Sequence, residues 1–220
     1  AIEGDNFLRV LPAYDADHDF ALDIHVHYNI GTGADRSAFL CLSRMKNEAC
    51  PICEESNKLA QAGREQESKN LRPAGRTLFF VLDRDKPEDG IKLYDSPTYS
   101  VGSPIINLCL NRRTRVMTDI TDINKGFDVI LVRQGLGARN TKYTSIGLDH
   151  PSTPLGDASL LDDLVPFDDV LNYSDYETIK AEFTGAVKPE VEEDHTACTE
   201  DELPEIDTGE SDTDTSEDSC

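Results

Sequence analysis

Apolar positions along this chain recur mostly at strand spacing, with three stretches at helical spacing between them. Residues 6–12 and 20–28 carry alternating or clustered apolar side chains and predict two strands, joined by the acidic turn Asp15-Ala16-Asp17-His18-Asp19. A short strand at 37–41 ends on Cys41. Helix is predicted from Pro51, which suits a first helical turn, to about residue 69: Glu54 and Glu55 complement the helix N-terminus, and Ile52, Leu59 and Ala62 share a face. Arg72-Pro73-Ala74-Gly75 breaks it. The run 77–83, Thr-Leu-Phe-Phe-Val-Leu-Asp, is strongly β-prone, and a turn at 85–90 leads to a strand at 91–94. Ser103-Pro104 opens a predicted helix over 105–113, with Ile105, Leu108 and Cys109 on one face. Residues 127–133 and 142–146 read as a hairpin around the glycine-containing loop 135–140. Ser174-Asp175-Tyr176-Glu177 has the form of a capping box that starts a short helix through Phe183.

Many short strands with helices between them predict a mainly β, α+β fold. The arrangement that suits the order is a small Greek-key barrel of the OB type with a lobe of about 25–70 inserted into it. A generic α+β sheet competes. The folded part is expected to span 1–187 and to be followed by a disordered acidic tail, 188–220, nearly devoid of large apolar side chains.

The inserted lobe is defined by chemistry. Cys50 and Cys53 flank Pro51-Ile52, a spacing that lets one tight turn bring two thiolates onto one metal. Cys41, separated from Cys50 by eight residues, can return a third sulfur after a hairpin-like excursion over 42–49. His25 and His27 lie on one side of the second predicted strand; His27 is nearer and is favoured as the fourth ligand, with His25 the alternative. Four such ligands close a tetrahedral shell, so the expected ion is a structural zinc with no open position for an activated water. A dithiol redox site would also use Cys-Pro-x-Cys, but no βαβ pattern precedes it and Cys41 and the histidines would be left over. No Ser/His/Asp or Cys/His nucleophile arrangement is evident, Asp162-Asp163 and Asp168-Asp169 read as solvated loop and capping acids, and the glycines at 31, 33, 135 and 137 lack the Lys-Ser/Thr of a phosphate loop. The expectation is a protein that is not an enzyme.

Charge changes the picture. The chain carries a formal −22, which would repel a nucleic acid, yet residues 36–145 have a net charge of +5 while 188–220 have −13. A basic centre sits between acidic ends. No stretch approaches eighteen apolar residues and no signal-peptide pattern is present, so the expectation is a protein that is not secreted and does not enter a membrane.

The order His27, Cys41, Cys50-Pro51-Ile52-Cys53-Glu54, followed by the β-rich Phe79-Phe80-Val81, a basic and hydroxyl-rich middle, a second hairpin and an Asp/Glu/Ser/Thr tail, resembles the phage single-stranded DNA-binding proteins typified by the T-even helix-destabilising protein. The resemblance runs in order over roughly residues 6–185, and its specific part is the metal motif. It implies an OB-fold core, a structural zinc, a basic cleft with stacking aromatics, and an acidic arm that contacts replication or recombination proteins in the cytoplasm of an infected bacterial host. The basic N-terminal arm of the T-even protein has no counterpart in Ala1-Ile2-Glu3, so self-association is expected to be weak.

Sequence-tolerant binding of a single strand needs cations along the phosphates and flat rings against bases. The candidate cations are Arg44 and Lys46 beside the metal loop, Arg72 and Arg76 before the β run, Arg112, Arg113 and Arg115, and Arg133, Arg139 and Lys142 on the second hairpin. Tyr94, Tyr99 and Tyr143 are the favoured rings, because a phenol tolerates the wet wall of a groove; Tyr28 is a further candidate, and Phe39, Phe79 and Phe80 fit a core better. The competing function is a zinc-stabilised protein-interaction module that meets its partners through the acidic ends.

Overall fold

The computed structural model describes residues 2–31, 36–111, 113–135, 137 and 140–185. All described elements belong to the first of the two units into which the chain divides, Ala1–Lys188. The strands are β1 (Gly4–Val10), β2 (Ala21–Ile30), β3 (Ser37–Leu40), β4 (Ala74–Asp83), β5 (Ile91–Pro97), β6 (Asp128–Gln134) and β7 (Lys142–Leu148). The α-helices are α1 (Leu42–Met45), α2 (Pro51–Gln61), α3 (Glu65–Leu71), α4 (Ser103–Asn107), α5 (Phe167–Val170) and α6 (Tyr176–Thr184). This is an α+β fold on one antiparallel sheet, ordered β3-β2-β4-β1-β6-β7, with β5 also paired to β4. Among the described residues no helix is long and apolar enough to cross a membrane.

The β-prone run identified in the sequence is the spine of this sheet. Six consecutive residues of β4, Thr77 to Leu82, are buried, as expected of a strand covered on both faces. Its side chains divide by parity. Phe79 and Val81 join Leu8, Val10, Val129, Leu131, Ile105 and Ile120 in one cluster, while Phe80 and Leu82 pack with Leu11 and Leu155 on the other face. One edge of β4 is paired with β5 from Arg76↔Pro97 to Leu82↔Ile91. The other edge is shared: β2 takes it from Ala74 to Phe79, and β1 takes it from Val81 to Asp83. The changeover is bridged by the Leu11 amide, which donates to the Phe80 carbonyl at 2.9 Å.

Four sequence expectations are corrected by local hydrogen bonding. The helix expected over 51–69 is two helices, because Gly63 (φ 76°) supplies a left-handed residue after α2. The Gly63 amide then donates to Ala60 and the Arg64 amide to Leu59, a Schellman closure. The helix expected over 105–113 ends at Asn107. Beyond it the Asn111 side chain accepts from the amides of Arg113 and Thr114 at 3.1 Å, competing with helical bonding and turning the chain into a small hairpin closed by Leu110↔Met117. The excursion over 42–49 is the single turn of α1 followed by Asn47 at φ 57°. The cap of α6 is Asp175, not Ser174: its carboxylate accepts from the Thr178 amide at 2.7 Å.

An ion cluster that sequence patterning did not reveal pins the 149–155 segment to the sheet. Arg9 is fully buried on β1, with Nη1 3.4 Å from Asp128 Oδ1; its Nη2 donates to the Thr153 carbonyl. Arg84 reaches the same Asp128 oxygen at 3.0 Å and donates to the carbonyls of Leu155 and Pro154 at 2.8 and 2.9 Å. Burial pushes the Arg9 pKa down, and the neighbouring Asp128 opposes that shift.

Candidate metal centre and nucleic-acid interface

Three elements converge at one end of the sheet. His27 comes from β2 where that strand pairs with Phe39 of β3, Cys41 caps α1, and Cys50 caps α2 with Pro51 in its first turn and Cys53 one turn further on. His27, Cys41 and Cys50 are buried, and Cys53 is partly exposed. Their four ligand atoms all lie within 4.8 Å of one another.

The spacing fits a tetrahedral ion. Bonds of about 2.3 Å to sulfur and about 2.0–2.1 Å to nitrogen would separate such ligands by about 3.6–3.8 Å. Here Cys41 Sγ and Cys53 Sγ are 3.4 Å apart, and His27 Nε2 lies 3.6 Å from Cys50 Sγ and 3.5 Å from Cys53 Sγ. The tautomer is set from behind. His27 Nδ1 lies 2.8 Å from the Leu71 carbonyl, which can only accept, so Nδ1 carries the hydrogen and Nε2 presents its lone pair to the sulfurs. His25 is outside the group; its backbone carbonyl accepts from the Cys41 amide at 2.8 Å and thereby places the cysteine.

Three thiols at one point cannot share it equally without a cation. Contact with Cys41 drives the Cys50 pKa strongly down and the Cys53 pKa strongly up. Burial disfavours a charged His27, but the neighbouring Cys41 and Cys50 sulfurs outweigh it and push the imidazole to about 9. A divalent cation would resolve this competition by holding all three sulfurs as thiolates and the imidazole neutral. The donor set, burial and spacing therefore form a group able to hold a metal ion, as the sequence spacing anticipated.

Helix α6 completes the lobe. Ile179 is fully buried against Ile30, Leu42, Ile52 and the cysteines. The Tyr176 hydroxyl donates to Glu54 at 2.9 Å, and the Ser37 hydroxyl donates to Glu182 at 3.3 Å.

The candidate nucleic-acid residues fall into three places. Arg76, Arg133, Lys142 and Tyr143 line one open groove of about 700 Å³, together with Ser100 and Thr141. Arg44 and Arg72 line a second groove of about 550 Å³ beside Cys53. Arg113 and Arg115 are exposed on the 109–118 hairpin and line neither groove. Arg112 and Arg139 lie outside the described residues, as does the tail over 188–220.

Charge at these places is partly committed. Arg76 Nε donates to Asp95 at 2.7 Å; burial lowers its pKa, but Asp95 together with Tyr28 and Tyr143 raises it above its ordinary value. An Arg133 Nη donates to the Thr141 hydroxyl at 3.0 Å across the β6–β7 hairpin. Lys46 sits 3.9 Å from the Tyr173 ring centroid. Arg44, Arg72, Arg113, Arg115 and Lys142 form no ion pair with an acid among the described residues.

The rings divide in the same way. Tyr99 is 90% exposed on the turn over Thr98–Gly102, next to Ser100 of the larger groove. Tyr143 and Tyr94 rest against the main core, so Tyr94 is a wall rather than a free platform; burial, then Tyr143, pushes its phenol pKa well up. Tyr28 is partly exposed and lies close enough to Arg76 for that guanidinium to lower its phenol pKa against the rise caused by burial. Phe80 is core, stacked on Phe167 at 4.9 Å. The hydroxyls of Ser100 and Thr141 were not anticipated, because hydroxyl residues carry no periodic signal. Compared with protein-family models and with curated proteins, the sequence matches none.

Proposed function

We propose that this protein binds single-stranded DNA without sequence preference, through the Arg76/Arg133/Lys142 groove, on a scaffold whose lobe is held by structural zinc. The observation that carries this reading is convergence. Cations and a ring drawn from β4, β6 and β7, separated by up to 67 positions in sequence, line one groove open enough for an extended strand. Guanidinium and ammonium groups would follow the phosphates, while Tyr143 and Tyr99 would offer faces to bases, each stacked base contributing about 1–3 kcal/mol. Arg72 and Arg76 lie four residues apart on extended chain, about 13 Å at about 3.3 Å per residue, which lets one strand run from the smaller groove into the larger.

The sheet supports an OB-type reading. A central strand whose edge passes from one partner to another is a way for a small β core to curl, and the metal lobe enters between β2 and β4, as the family resemblance implies. The same resemblance implies service in phage replication, recombination or repair, with the acidic segment 188–220 recruiting partner proteins. Zinc is the ion the donor set favours over harder cations.

The test is fluorescence anisotropy of a labelled oligo-dT at several salt concentrations. Neutralising about five phosphates predicts a log–log slope near −3.5 for a single strand. Absence of binding by folded, zinc-loaded protein would refute the reading and favour the protein-interaction module.

A further inference from the structure

Val116 and Met117 are 58% and 70% exposed, two adjacent apolar side chains on a hydrogen-bonded turn. The element is the small hairpin over 109–118. It is closed by the Leu110↔Met117 bridge, by the Thr118 amide donating to Cys109 at 2.7 Å, and by the Asn111 amide donating to Val116 at 3.0 Å. Arg115 occupies the left-handed region at φ 60°, held there by its amide bond to the Asn111 carbonyl at 2.8 Å. The apolar pair is thus carried on a defined projection, with exposed Arg113 and Arg115 beside it. Asp119, the nearest acid along the chain, is turned to the Thr121 amide and hydroxyl.

The hairpin also has a place relative to the larger groove. Its Leu110 lines a cleft with Ile146 of β7. Tyr143 and Thr144 of the same strand line the basic groove. From Thr144 to Ile146 the strand advances about 7 Å at about 3.3 Å per residue. A strand leaving the groove along β7 therefore meets the base of the hairpin next.

From this juxtaposition we propose that the 109–118 hairpin is a wedge for the junction between single- and double-stranded DNA: Val116 and Met117 press against the terminal base pair, and Arg113 and Arg115 hold phosphates of the parted strands. The inference rests on the single-strand reading above. Apolar side chains set between base steps unstack them, and flanking cations select a polyanion over an uncharged apolar partner.

The experiment uses the full chain on a forked DNA carrying 2-aminopurine at the last base pair, with oligo-dT anisotropy measured in parallel. The wild type should bind oligo-dT and raise the fork fluorescence. The double variant Val116→Ser/Met117→Ser should lose most of that rise while its oligo-dT affinity stays within about twofold, since neither side chain contacts phosphate in this scheme. Val116→Leu/Met117→Leu should keep the rise, which a purely structural role for these two positions would not require. If the wild type binds oligo-dT and the serine variant opens the fork as well as the wild type does, the wedge is wrong and the single-strand reading stands. If the wild type binds no oligo-dT, both fall. A change of oligomeric state in the serine variant, with fork opening retained, would reassign the pair to contact between copies.

Discussion

Replacing His27 by Ala tests the metal centre most directly, because the structure gives that imidazole two duties. Its Nε2 faces Cys50 and Cys53 at 3.6 and 3.5 Å, and its Nδ1 donates to the Leu71 carbonyl at 2.8 Å. Structural zinc sites contribute about 10–16 kcal/mol at neutral pH, so one ligand of four is responsible for roughly 3–4 kcal/mol, or about 10²–10³-fold in affinity. His27→Ala should therefore lose zinc to a chelator at about 10²–10³-fold lower chelator concentration, whereas His25→Ala should hold it as the wild type does. The second duty gives an independent readout. With no donor to Leu71, the end of α3 loses its tie to β2, and amide exchange should rise at α3 and at Arg72 while β1 and β6 stay protected. Metal content by mass spectrometry and exchange by peptide mapping measure the two effects. Full zinc retention by His27→Ala, or loss from His25→Ala, would refute the assignment of the fourth ligand.

Other outcomes follow from the same geometry. Asp128→Asn leaves Arg9 buried without its counter-charge and should lower stability by about 3–5 kcal/mol in urea unfolding, whereas Arg113→Gln should shift the midpoint hardly at all. Lys142→Gln should weaken oligo-dT binding at low salt and reduce the salt slope by about 0.7, the contribution of one phosphate contact; an unchanged slope would remove Lys142 from the groove. Gly63→Ala places a Cβ on a left-handed residue and should cost about 1 kcal/mol by thermal or chemical unfolding. Asp175 has its pKa lowered by the Thr178 amide and hydroxyl. Its stabilisation of α6 is therefore present above the unfolded pKa and is lost as pH falls through the folded one, and Asp175→Ala should flatten that acid limb in a helix-detected titration.

The strands and the metal centre were legible in the sequence for different reasons. Strands declared themselves through alternation, and β4 through an unbroken apolar run that turned out to need cover on both faces. The cysteines were legible because metal coordination constrains spacing tightly, so Cys41, Cys50 and Cys53 could be grouped from position alone. Choosing between His25 and His27 required the third dimension, since both lie on one side of β2 and only one meets the sulfurs. Helix ends were the least legible. Gly63 stops the chain through backbone hydrogen bonds and Asn111 diverts it through its side-chain oxygen, neither of which apolar periodicity registers. Arg9 was hidden for another reason: a buried arginine looks in sequence like any polar residue on a strand, and its partners Asp128 and Thr153 are far along the chain. The grooves were half legible, as basic clusters that the sheet then sorted into separate places.

Closure of the metal lobe by α6 has a consequence for how the chain is made. The ligands span His27 to Cys53, yet Tyr176 and Ile179, which finish the lobe, are more than a hundred positions away. During synthesis the three thiols must wait, uncovered, while the intervening sheet is produced. At about 5–20 residues per second that interval lasts roughly 6–25 s. On the zinc reading proposed above, the nascent lobe competes for its ion over that time with the chelators and oxidants around it, so early capture, before the last helix arrives, should raise the yield of folded protein. Contacts of such long sequence separation also form slowly. On that reading the segment beyond the lobe sets the moment at which a bound metal would be sealed in, and zinc supply during translation, more than zinc supply afterwards, should govern how much of the chain reaches its finished form.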